Sequence, residues 1–154
     1  MSGLDAPQFV PDEPNANSGK SGRRGRRAGP KSSLPWFGSL GQLDFEIEFF
    51  GRLLERTSDA IEVLRVLAEL VARKGDVHRA VELDSRLVQL LPDDFLARYN
   101  LACSFALAGR ADDAIDSLSR AILLGYDDLA HMEGDPDLES LYGNPDFQAL
   151  LGEE

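Results

Sequence analysis

Shifting the chain by 34 residues lays residues 61–94 over 95–128 without a gap, and no other feature constrains the fold as strongly. Ten of the 34 pairs are identical: Leu67/Leu101, Ala68/Ala102, Ala72/Ala106, Gly75/Gly109, Ala80/Ala114, Ser85/Ser119, Arg86/Arg120, Leu90/Leu124, Asp93/Asp127 and Asp94/Asp128. A chain with such a period builds one small unit twice, because each copy has an apolar face that only a neighbour can bury. Within the first copy, Ile61, Leu64, Leu67, Ala68 and Val71 recur at spacings of three and four, as do Val77, Ala80, Val81, Leu87, Val88 and Leu91 after them. The second copy does the same with Phe95, Leu101, Ala102 and Phe105, then with Ala114, Ile115, Leu118, Ala121 and Ile122. That is helical periodicity, and no segment alternates as a half-buried strand would. Each copy is therefore predicted to be a hairpin of two helices, turned by Gly75 or Gly109. Its small residues, Ala68 facing Ala80 and Ala102 facing Ala114, let the helices approach closely.

Punctuation agrees with this division. Ser58 and Asp59 offer capping oxygens to the first helix of unit one, Asp76 to its second, and Asp93 and Asp94 to the next. Leu43, Ile47, Phe50, Leu53 and Leu54 share one face of a preceding helix, a half-unit over 42–58. After the second unit, Gly134-Asp135-Pro136-Asp137-Leu138 and Gly143-Asn144-Pro145-Asp146-Phe147 repeat one pattern nine residues apart. Each supplies a capping side chain and then a proline at the first helical position, so two short helices are expected to close the stack over 129–151.

A 34-residue helix–turn–helix unit with small residues at these places resembles the tetratricopeptide repeat family. Pro92 stands where that family places a closing proline, and Phe50 where it has an aromatic. The resemblance covers about 42–128 and implies an all-α superhelix of a half-unit, two full units and a two-helix C-terminal cap. Arg98 and Asp84 depart from the family pattern, each replacing a large apolar residue or an aromatic. Both fall at the junction between units, where they are expected either to pair or to face solvent.

Charge divides the chain. The whole protein carries −11, yet residues 1–40 hold six basic and three acidic side chains, while 111–154 hold twelve acids and one base, Arg120. Residues 1–41 are rich in Gly, Ser, Pro and Arg without periodicity, and are expected to form a disordered basic tail. Arg23, Arg24, Arg26 and Arg27 make a cluster that reads as a solvated linker, as a site for nucleic acid, or as an arm that docks on the acidic end. Leu34-Pro35-Trp36-Phe37 reads as a chain entry packed on the first helix. Nucleic-acid binding would rest on the tail alone, since the acidic domain repels phosphates. No stretch is long and apolar enough to cross a membrane, and a cytoplasmic location is expected.

Little here suggests catalysis. Asp93/Asp94, Asp112/Asp113 and Asp127/Asp128 sit at helix starts, where capping and the helix dipole account for them. The acids around Asp135 lack the alternating ligands and final glutamate of a calcium loop. Cys103 has no histidine at helical spacing, His78 reads as exposed and His131 as partly packed. Neither enzyme activity, a metal nor a cofactor is expected.

The resemblance does imply a binding site, the concave groove lined by the first helix of each unit. On the first unit that face carries Glu62, Arg65, Glu69 and Arg73; on the second, Leu96, Tyr99, Asn100, Cys103 and Leu107. Asn100 matches an asparagine that holds a ligand's backbone in peptide-binding members, with Tyr99 and Arg65 as the other expected contributors; the alternative is that Tyr99 and Asn100 pack against the closing segment or Trp36. The family's carboxylate clamp for chaperone tails does not fit, because Glu62 and Glu69 would repel a carboxylate. The expectation is a non-catalytic scaffold that takes a peptide or helix of another protein; the alternative is that the arginine cluster at 23–27 binds nucleic acid or an acidic partner, with the helical domain as a soluble handle.

Overall fold

The computed structural model describes residues 39–152. Among these the chain is all helix: α1 (Ser39–Arg56), α2 (Ile61–Lys74), α3 (Val77–Leu90), α4 (Phe95–Leu107), α5 (Ala111–Leu123), α6 (Leu129–Gly134), a 3-10 helix (Pro136–Leu141) and α7 (Pro145–Leu151). The 34-residue register holds to the residue, since α2 and α4 begin 34 apart, as do α3 and α5. No described helix is long and apolar enough to cross a membrane.

The hairpins close as their sequences predict. Gly75 and Gly109 take left-handed backbone (φ 90° and 75°), a conformation that strains any residue bearing a Cβ. At the first turn the Gly75 N–H returns to the Ala72 carbonyl and the Asp76 N–H to that of Val71, satisfying the end of α2. Asp76 then caps α3 through the Arg79 N–H, and Asp94 caps α4 through those of Leu96 and Ala97. The expected capping of α2 by Ser58 or Asp59 is not made. Ala60 is the N-cap, with no side-chain bond, while Asp59 faces Arg86 of α3 at 2.9 Å. A surface ion pair across the hairpin has taken the carboxylate that local sequence assigned to the cap.

Ala68, Ala80, Ala102 and Ala114 are all buried, as close helix approach requires. One core, around Leu64, Leu67, Val71, Leu83 and Leu87, joins α2 and α3, with Ile47, Phe50 and Leu54 of α1 laid against it. A second gathers Ala102, Ala106, Leu118 and Ala121 with Met132, Leu138, Leu141 and Phe147 of the closing segment. Val88, Ala97 and Leu101 form the seam between the two units.

Three elements close the stack rather than two. The Asp135-Pro136 turn opens a 3-10 helix, and α6 precedes it, capped by Asp128 through the His131 N–H. Too short to show a period, α6 is anchored by Met132, which is fully buried. At the unit junction Asp84, buried at 1% exposure, accepts a hydrogen bond from Ser104 Oγ at 2.6 Å. Arg98, expected either to pair with Asp84 or to face solvent, has its Nε buried without a hydrogen bond, and its carbonyl accepts from Ser117. Asp84 is thus buried rather than turned to solvent, with a hydroxyl of α4 among the groups that hold its carboxylate.

Candidate functional site

The nine residues expected to line a groove separate into two groups. Tyr99, Asn100 and Cys103 are buried, at 4%, 6% and 1% exposure, so they do not form an open surface. Glu62, Arg73 and Leu107 are exposed, with Arg65, Glu69 and Leu96 between these limits. The arginines at 23, 24, 26 and 27 lie outside the described residues.

Tyr99 and Cys103 are claimed by the closing segment. The Tyr99 hydroxyl donates to Asp135 Oδ2 at 2.7 Å, with Cys103 Sγ 3.9 Å from the same oxygen. The other carboxylate oxygen accepts from the Asp137 N–H, which starts the 3-10 helix. His131 Nε2 lies 3.5 Å from Oδ2, and the Tyr142 hydroxyl donates to the Asp135 carbonyl at 2.8 Å. Asp135 is itself 3% exposed, a carboxylate taken out of water, which is tolerable only because so many donors converge on it. Tyr126 stacks on Tyr99 with ring centres 4.5 Å apart and planes within 9°. Its hydroxyl is buried with no hydrogen-bond partner.

These surroundings push the phenols away from ionisation. Burial raises Tyr99 far above the ordinary tyrosine value, and Cys103 and Asp135 add to the effect. Burial takes Tyr126 up to about 12, and Tyr142 is raised for the same first reason. A protonated phenol is what a donor to Asp135 must be, so the cluster works as a latch between α4 and the closing segment. Sequence reasoning gave Asp135 a capping role and allowed that Tyr99 packs on the closing segment, without joining the two residues. The second role of Asp135 depends on a residue 36 positions away, a distance over which no local pattern carries information.

What stays open is the face of α2. Arg65, 15% exposed, pairs with Asp94 Oδ2 at 2.5 Å. Burial alone would raise the Asp94 carboxyl, but the Ala97 N–H, Arg65 and the Leu96 N–H outweigh it and hold the group below the usual carboxylate range. Asp94 thereby caps α4 and fixes the Arg65 side chain with the same carboxylate. On another side of the array, α1 and α3 border a cleft of about 710 Å³. Ile47, Leu54, Leu67 and Leu83 make its apolar part, and Glu48, Arg52, Glu55, Arg79, Glu82 and Arg86 its charged one. With Asp44, which also lines it, the cleft carries four acidic and three basic side chains. Among the described residues no three His, Cys, Asp or Glu side chains come together in a way that would hold a metal ion.

No protein-family model matches the chain, and a search of curated proteins finds no relative.

Proposed function

We propose that the chain is a non-catalytic, tetratricopeptide-like module that binds a peptide or helical segment of another protein across the face of α2. Glu62, Arg65, Glu69 and Arg73 supply charges of both signs, and Leu96 and Leu107 of α4 give the edge its apolar contacts. The single observation behind this reading is the division of the face. The closing segment has taken up Tyr99 and Cys103, whereas Glu62 and Arg73 project from α2 unused by packing. Tyr99 thus leaves the set of expected contributors and Arg65 stays, preset by Asp94. A partner matching this face carries a base opposite Glu62 and an acid opposite Arg73, about three helical turns apart, with an apolar anchor beside them.

The test is quantitative affinity capture with full-length protein, comparing wild type with Glu62→Arg/Arg73→Glu and with Asp116→Arg/Arg120→Glu, a charge change on exposed positions of α5. Proteins bound through the α2 face should be lost from the first variant and kept by the second. If both variants hold the same set as wild type, the α2 face is not the site.

A further inference from the structure

One 34-residue step before α3, Leu43, Ile47 and Leu54 of α1 stand where Val77, Val81 and Val88 stand, so α1 is the second helix of a hairpin. By the same register its first helix would fall over 27–40. Gly29, Pro30, Pro35 and Gly38 oppose a helix there, and α1 itself has begun at Ser39. Yet the surfaces that such a helix covers in the other two units are buried here as well. Glu46 holds the place of Ala80 and Ala114, and it is 3% exposed against their 1% and 0%. Gln42 Nε2 donates to its carboxylate at 3.0 Å.

The second such surface is on α2. Leu64, Leu67, Ala68 and Val71 form the stripe that enters the α2–α3 core. At about 100° per residue, Leu70 lies about 110° round the helix from the middle of that stripe and Val66 about 150°. Neither belongs to a core formed among the described helices, yet they are 2% and 8% exposed. One repeat further on, these positions are Asn100 and Ser104, both buried, and Ser104 bonds Asp84 of the unit before it. Val66 and Leu70 therefore face the place of a preceding unit, and two apolar side chains buried there need an apolar cover.

Leu34, Trp36 and Phe37 lie just ahead of α1, outside the described residues, and between Val10 and Leu34 the sequence has no large apolar residue. We propose that residues 34–37 turn back along α1 and dock in the groove between α1 and α2, covering Glu46, Leu70 and Val66 in place of a helix. The lengths agree. α1 and α2 run antiparallel with Asp44 beside Lys74, which sets Leu70 level with residue 48 and Val66 level with residue 52. Those levels are about 13 and 20 Å along α1 from Ser39. Residues 37 to 34, read back from Ser39, reach at most about 7 to 17 Å, and their side chains add several more. Pro35 favours extended backbone at Leu34, which spans more length per residue than a helix. An apolar helix of another protein reaches this groove only by displacing the segment.

Trp36 is the only tryptophan in the chain, so fluorescence of the full-length protein reports on the contact. Blue-shifted emission is expected, with acrylamide quenching at least about threefold weaker than in the urea-unfolded chain and unchanged from about 2 to 200 µM protein. Val66→Gln/Leu70→Gln should bring quenching to within about twofold of the unfolded value, whereas Leu123→Gln, at a position 75% exposed on α5, should leave it as in wild type. Circular dichroism checks that helicity is kept. If the α2 variant loses helix, Leu34→Ser/Phe37→Ser decides in its place and should at least about double the quenching. Trp36 as open to acrylamide in the native chain as in urea overturns the proposal, since another cover then lies on Val66 and Leu70. Shielding that grows with protein concentration also overturns it, because the cover is then a second copy's segment. So does shielding that survives the deciding variant, which puts Trp36 elsewhere.

Discussion

Tyr99→Phe removes one oxygen from the core and leaves the rest of the ring in place. The stack on Tyr126, with planes within 9°, has no need of the hydroxyl, and the vacated space is too small to collapse. What is lost is the 2.7 Å bond to Asp135, a carboxylate 3% exposed that water cannot readily reach to replace the donor. A hydrogen bond to a charged group is worth about 1.5–3 kcal/mol, and a buried acceptor deprived of its donor sits toward the upper part of that range. About 2 kcal/mol is therefore expected. At about 2.1 cal/mol/K of unfolding entropy per residue over the roughly 114 described residues, that lowers Tm by about 8 °C. A double-mutant cycle isolates the bond, because Asp135→Ala also removes the cap on the 3-10 helix and the single change overstates the pair. Urea denaturation followed by circular dichroism on wild type, Tyr99→Phe, Asp135→Ala and the double variant should give a coupling of at least about 1 kcal/mol. A coupling under about 0.3 kcal/mol would refute the latch and leave Tyr99 as plain packing.

The tyrosines should also report on the closed end directly. All three are raised above the ordinary value of 10, first by burial, with Tyr126 reaching about 12. A folded-state value above the unfolded one contributes stability that is whole below about pH 10 and is lost as the pH climbs toward 12. Phenolate absorbance at 295 nm should therefore stay low through pH 10 and rise together with the loss of helical ellipticity. Two of the three phenols titrating near pH 10 with ellipticity intact would contradict it. Phe147→Ala, at a site with no exposure in the second core, should cost about 3–5 kcal/mol and make residues 129–152 the first to be cut by protease. A loss under about 1 kcal/mol in urea denaturation would mean that α7 is not anchored by this ring.

Much of this architecture was legible in the sequence because its causes are local. The apolar steps of three and four that define α2 to α5 follow from the geometry of one helix. The left-handed turns at Gly75 and Gly109 follow from the absence of a Cβ, and the caps at Asp76, Asp94 and Asp135 from a carboxylate two or three residues ahead of bare N–H groups. Repetition at 34 residues then determined that the hairpins stack, since neither copy can bury its apolar face alone. Tertiary structure decided which of two possible partners each polar group takes. Asp59 left its expected cap for Arg86. Tyr99 and Cys103, on the face expected to be a groove, were taken by a carboxylate more than 30 residues along. These choices turn on distances between elements, and periodicity says which face a residue occupies without saying what will come to cover it.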